Sequence, residues 1–190
     1  MPRILVIYGT TDGQTRKIAE AMGAAMRAEG CRVTVYEAAH IPPQVPPTDY
    51  DGVIVAASIQ MGNYQRPVRR WVRMSAPVLN GLPSAFISVC LGVLEKRDET
   101  DRELRRILQR FLGASGWQPS ETKIVAGALP YTRYGWFKRW MMKRIVAKAG
   151  GDTDTSRDYE YTDWDDVRAF AREFARRCWA MQQVGAAEAT

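Results

Sequence analysis

Residues 8–15 read "YGTTDGQT", between the apolar run "RILVI" and the helical pattern "RKIAEAMGAAMRAEG". Three threonine hydroxyls and two glycines at one strand-to-helix junction suit a specific chemistry. Gly9 and Gly13 let the backbone curl tightly, and Thr10, Thr11 and Thr15 offer hydroxyl donors. The first N–H groups of the following helix lack intrahelical partners and carry the positive end of the helix dipole. Together these make a cradle for a phosphate. The loop is neither G-x-G-x-x-G nor G-x-x-x-x-G-K-S/T, so dinucleotide and ATP sites lose ground. A plain turn with a hydroxyl cap would use the same residue types and stands as the alternative. Asp12 is the odd member, because a carboxylate opposes a phosphate dianion unless it turns away to cap a backbone N–H, as we expect it does.

Other chemistries have less to work with. His40 is the only histidine, which leaves little for a His-based metal site or a Ser-His-Asp triad. Cys31, Cys90 and Cys178 are odd in number, lie far apart and form no C-x-x-C, against both a disulfide framework and structural zinc. No metal site and no obligatory catalytic acid or base stand out. Twenty-seven basic against 21 acidic residues give a net charge of +6 and a pI near 9.4, which suits an anionic partner. Much of that charge falls in one block, Arg133, Lys138, Arg139, Lys143, Arg144 and Lys148. It is interleaved with Tyr131, Tyr134, Trp136, Phe137, Trp140, Met141 and Met142 and contains no acidic residue. A basic amphipathic helix rich in Trp and Met reads as a membrane-surface element. An aromatic core stripe with a solvated basic face is the alternative. No nucleic-acid-binding motif accompanies the charge, so nucleic acid is set aside.

The elements that must position these residues follow a regular order. The runs 3–8, 31–38, 50–58, 84–91 and 123–129 read as buried strands. Helices are predicted over 14–29, from Pro67 with Val68, Trp71 and Val72 facing in, over 100–113, and over about 163–181. Thr162 and Asp165 fit a capping pattern at the start of the last helix. Five apolar strands alternating with helices imply a parallel sheet covered on both faces, a doubly wound α/β sandwich. At 190 residues, 46% hydrophobic and 25% charged, the chain is expected to fold as a single domain over 1–183, with a frayed tail at 184–190. The stretch of about 130–161 after the fifth strand exceeds what such a unit needs and is predicted to be a functional insertion. The start of the chain lacks the pattern of a signal peptide, and "SAFISVCLGVL" is too short to span a bilayer, so a cytoplasmic location is expected.

Tyr8, Thr10, Gly13 and Thr15 match the phosphate-loop pattern of the flavodoxins, which this chain resembles. The resemblance implies a flavodoxin-like five-stranded sheet of order 2-1-3-4-5 and an FMN cofactor. The phosphate would lie against Thr10, Thr11, Asp12, Gly13, Gln14 and Thr15. The ring would lie between two further loops, Ser58, Ile59, Gln60, Met61, Gly62, Asn63 and Tyr64, and Val89, Cys90, Leu91 and Gly92. Tyr64 or Met61 would cover one ring face, with the other open beside Cys90 and Leu91.

Four further blocks, at 57–64, 127–136, 150–155 and 161–164, are similar to the menaquinone-dependent protoporphyrinogen dehydrogenases. That similarity runs from residue 3 to about 176. It implies FMN-dependent oxidation of a porphyrinogen in heme biosynthesis with a quinone as acceptor. Arg133, Trp136, Lys138, Arg139, Trp140, Lys143 and Arg144 would meet the substrate's propionates or the inner face of the cell membrane as a peripheral anchor. A flavodoxin-type electron carrier and an NAD(P)H-dependent quinone reductase are the rival readings, and a homo-oligomer is compatible with either fold assignment.

Overall fold

The computed structural model describes residues 1–42, 45–95, 97–133 and 154–188. In chain order the strands are β1 (Arg3–Gly9), β2 (Arg32–Glu37), β3 (Gly52–Ser58), β4 (Ser84–Cys90), β5 (Glu121–Ala126), β6 (Ala128–Leu129) and β7 (Tyr159–Glu160). The described helices are α1 (Gln14–Ala28), α2 (Arg66–Leu79), α3 (Asp98–Ser115) and α4 (Trp164–Glu188). Strands β2-β1-β3-β4-β5 form one parallel sheet in that order, as the sequence predicts.

Continuous apolar strands work here because both faces of the sheet are covered. Along β1, Ile4, Val6 and Tyr8 point to the side of α1 and α4, against Ile18, Met22, Met26, Ala171 and Phe174. Leu5 and Ile7 point to the side of α2 and α3, against Val68, Val72, Leu79, Ile107 and Phe111. Each of these large side chains contributes roughly 1.5–3 kcal/mol by leaving water. On α2 the buried stripe is Val68, Val72, Ser75, Ala76 and Leu79, while Trp71, predicted to face in, is only half-buried at its edge.

The structure corrects the end of the sheet. The predicted fifth strand over 123–129 is two elements. β5 stops at Ala126, and the Gly127 N–H makes one last bond to the Cys90 carbonyl, 3.2 Å. Ala128–Leu129 then leaves the sheet and pairs antiparallel with β7. The cap of α4 is also reassigned. Asp163 Oδ1 accepts from the amides of Asp165 and Asp166, at 3.1 and 3.0 Å, and is the capping side chain. Thr162, read as the cap, is turned inward onto the Ala126 carbonyl, 2.8 Å, because β5 passes directly behind it. The helix runs on to Glu188, past the predicted end near 181 and into the stretch expected as a frayed tail. The predicted insertion falls mostly at 134–153, outside the described residues.

Candidate functional site

Parallel strands deliver their carboxyl ends, and the loops that follow them, to one edge of the sheet. β1 ends at Gly9, β3 at Ser58 and β4 at Cys90; Gly9 is in register with Ala57, and Ser58 with Val89. The three predicted loops are therefore brought together.

In the first loop, Gly13 takes the left-handed conformation, φ 92°, and its N–H donates to Thr10 Oγ1 at 2.9 Å. The cap of this turn is thus Thr10. Asp12 is half-buried and lines a neighbouring cleft with Lys17. Helix α1 starts without a capping side chain on its own amides and without an acidic residue in its first turn, while Arg16 and Lys17 sit there. Each of these two already has a carboxylate partner, Glu20 for Arg16 at 2.8 Å and Glu160 for Lys17. Thr15 is 1% exposed, and its hydroxyl has no hydrogen-bond partner. A buried hydroxyl without a partner in the first turn of a helix is uncommon and calls for an explanation.

Gly9 has a different reason from the predicted one. A Cβ there would collide with Val68 and come within 2.9 Å of Gln65 Oε1, so the glycine admits the start of α2 rather than curling around an anion. The Gln14 side chain is engaged within the protein. It is buried and donates to Thr162 Oγ1 at 2.9 Å, tying the loop to the end of β5. Lys17 pairs with Glu160 at 2.7 Å, and Trp164 Nε1 donates to the same carboxylate at 2.8 Å. This cation and the hydrogen bonds hold the Glu160 carboxyl below its ordinary range, the Lys17 hydrogen bond most of all.

The second loop is a tight turn in which Gln60 and Asn63 exchange backbone hydrogen bonds of 2.8 and 3.0 Å. Met61 and Gly62 have φ of 48° and 71°, and Met61 is the only non-glycine with positive φ among the described residues. That conformation costs Met61 about 1 kcal/mol or more, and it holds a 98% exposed thioether at the tip of the loop. Tyr64 departs from its predicted role. Its ring is buried against Phe86 and Phe111, with centroids 5.0 and 4.9 Å away, and its hydroxyl shares a 2.8 Å hydrogen bond with Ser88. Burial pushes its pKa up to about 12 despite that bond. Tyr64 anchors the loop from below, and Met61 is the one of the two that can cover a ring.

A residue the sequence reading missed links the first two loops. Gln65 Nε2 donates to Ser58 Oγ at 2.7 Å and to Thr11 Oγ1 at 3.4 Å, while Thr11 Oγ1 donates to Gln60 Oε1 at 3.1 Å. Gln65 Oε1 is buried without a partner. Ile59 N–H joins the third loop, donating to the Val89 carbonyl at 2.9 Å.

In that third loop Val89 and Cys90 are buried, Leu91 is half-buried, and a 3₁₀ turn begins at Gly92. Burial raises the Cys90 thiol pKa, outweighing the Val93 and Gly92 amides that hydrogen-bond it, so the sulfur stays protonated. Beside it stands an aromatic wall also missed from the sequence: Tyr131 is fully buried next to Leu129, with Leu91, Tyr159 and Tyr161 packed on it. Tyr159 and Tyr161 lie parallel with centroids 6.3 Å apart. Asp158 accepts from both the amide and the hydroxyl of Thr132, at 2.9 and 2.8 Å, closing the neck from which residues 134–153 depart. Arg133 ends the 3₁₀ turn Tyr131–Arg133; Trp136, Lys138, Arg139, Trp140, Lys143 and Arg144 lie outside the described residues. Among the described residues no helix is long and apolar enough to cross a membrane.

Comparison with known proteins agrees with this geometry. The family described as "Flavodoxin domain" matches residues 5–156. The "Protoporphyrinogen IX dehydrogenase [quinone]" of Escherichia coli (strain K12) is 38% identical over 174 residues, 91% of this chain and 94% of that protein. The protein of the same name from Leishmania major is 34% identical over 177 residues, 92% of this chain and 75% of that one. Among solved structures, oxidised Flavodoxin 1 from Bacillus cereus superposes with a TM-score of 0.56 at 16% identity, covering 92% of this chain and 97% of that one. A flavodoxin from the domain Archaea gives 0.55 at 13% identity, covering 93% and 98%.

Proposed function

This chain belongs to the flavodoxin domain family and, within it, to the protoporphyrinogen IX dehydrogenases, and on that premise we propose that it binds FMN and oxidises protoporphyrinogen IX to protoporphyrin IX, with a quinone taking the electrons. The observation that carries the cofactor is the Thr15 hydroxyl, buried and unpartnered in the first turn of an uncapped helix. The residues present fit a phosphate dianion: Thr15 and the first amides of α1 would donate to it, and Arg16 and Lys17 would add field. The turn at Met61 and the backbone of 89–92 would flank the ring. Bound FMN supplies the two-electron redox chemistry that no side chain here offers.

The protein's part is binding, orientation and electrostatics. The Thr11–Gln60–Gln65–Ser58 network holds the phosphate loop and the Met61 turn at a set distance. Of the described side chains in the ring-flanking loops, neither Tyr64, buried with its pKa pushed up to about 12, nor Cys90, whose thiol burial keeps neutral, suits the role of base for the substrate's proton, and water would take it. Leu91 and the Tyr159–Tyr161 wall provide the apolar surface for a flat tetrapyrrole. The basic, aromatic insertion would meet the propionates or the membrane that dissolves the quinone, placing the chain in the cytoplasm as a peripheral protein.

Anaerobic stopped-flow mixing of the FMN-loaded protein tests this reading. Protoporphyrinogen IX should bleach the flavin absorbance and menadione should restore it. Bleaching by NAD(P)H alone would assign a reductase, and bleaching only by a partner protein would assign an electron carrier.

A further inference from the structure

A second cleft, of about 290 Å³, lies between α2 and α3 beneath the turn at Gly62, on the far side of the second loop from the first. Arg69 and Arg73, one turn apart on α2, and Arg110 on α3 line it, and no carboxylate does. Tyr64, Ile107 and Phe111, nearly buried, supply apolar lining.

Three observations bear on what it holds. Helix α2 carries Arg66, Arg69, Arg70 and Arg73 and no acidic residue. Arginines four apart, Arg66 with Arg70 and Arg69 with Arg73, repel, and Arg66 and Arg69 sit in the first turn, at the positive end of the helix dipole. Among the described residues none of the three cleft arginines is paired with a carboxylate, although nine Lys and Arg side chains elsewhere, Arg16 and Lys17 included, are. An uncompensated cluster of this kind is a standing cost that an anion removes. Finally, Arg110 Nη2 donates to the Gly62 carbonyl at 2.7 Å, in the left-handed turn that carries Met61. That bond uses one of five guanidinium donors and leaves the rest for a ligand.

We propose that the α2–α3 cleft is a binding site for a small aromatic carboxylate, its acid groups held by Arg69, Arg73 and Arg110 and its ring laid on Tyr64, Ile107 and Phe111, and that its occupancy steadies the Met61–Gly62 turn through Arg110. Guanidinium forks match carboxylates in a bidentate manner, and the volume suits a ligand at the small end of the usual range. The site itself does not depend on the redox reading; only its effect on flavin release does.

The test is isothermal titration of the full chain saturated with FMN, so that the phosphate loop is filled, using phthalate as the probe. Saturable one-to-one binding is expected, weakened about tenfold by Arg73→Ala and unchanged by Arg32→Ala on the far edge strand. Inorganic phosphate, which has no ring to lay on the apolar lining, should bind more weakly. Phthalate should also slow flavin release, followed by flavin fluorescence, in the wild type and not in Arg110→Ala. No saturable heat, equal affinity in Arg73→Ala, or phosphate binding as tightly as phthalate would overturn the site. Release unaffected by phthalate would overturn the coupling. Should the chain take up no flavin, the same titration of the bare chain, wild type against Arg73→Ala, still decides the cleft.

Discussion

Thr15→Val separates a ligand-binding role from a structural one, because the two predict opposite signs. The Thr15 side chain is 1% exposed and its hydroxyl is unpaired, so in the flavin-free chain it is a burden. Leaving a buried hydroxyl unsatisfied costs about 1–3 kcal/mol, and valine keeps the shape without the oxygen. At this chain length each kcal/mol moves the melting temperature by roughly 2–4 °C. The flavin-free variant should therefore melt about 2–12 °C above the wild type. A hydrogen bond from that hydroxyl to a phosphate dianion is worth about 1.5–3 kcal/mol, so FMN affinity should fall roughly 10- to 150-fold. Riboflavin has the ring without the phosphate, and its affinity should stay within about threefold. Quenching of flavin fluorescence measures both affinities, and calorimetry gives the melting temperature. FMN affinity within threefold of wild type, or equal losses for FMN and riboflavin, would refute the phosphate assignment; a variant that melts lower would make Thr15 a structural residue.

Tyr64→Phe should cost about 1–2 kcal/mol in urea unfolding, because Ser88 Oγ is left buried and unpaired, while FMN affinity stays within about twofold. A large loss of FMN affinity would return Tyr64 to the flavin face. Glu160 has its folded pKa below its ordinary 4.5, so its contribution is fully present above that pH and is lost as pH falls through the depressed value. Glu160→Gln should accordingly melt below the wild type at neutral pH, with the gap closing in acid; a gap independent of pH would count against the Lys17 pair. Deleting residues 133–148 should release the protein from sedimenting anionic vesicles and slow quinone-linked turnover more than it weakens FMN, whereas unchanged sedimentation would remove the membrane role.

Local pattern carried a good deal of this. The five strands were readable because a parallel sheet buried on both faces demands unbroken apolar runs, and "RILVIY" and "SAFISVC" can satisfy little else. The turn proposed to hold a phosphate was readable as a turn because its parts are neighbours in sequence: Thr10 caps Gly13 three residues on, and Thr15 follows in the same turn. The charge of "RPVRRWVR" was equally plain.

Direction and long-range partners were not readable. A tyrosine closing a loop can turn to solvent, to a ligand or to the core, and only Phe86 and Phe111 arriving from β4 and α3 decide that Tyr64 turns inward. Gln14 meets Thr162 across 148 positions, and Arg110 meets Gly62 across 48; neither pair leaves a periodic trace. Ala128 and Leu129 continue the apolar run of β5, yet they leave the sheet because β7 offers them a partner. The sequence alone therefore determined which segments are buried and where the glycine- and threonine-rich turn lies, since those depend on residue type and near-neighbour spacing. The tertiary structure decided which side chains of that turn stay unpartnered and which arginines converge, since those depend on helices packed from distant parts of the chain.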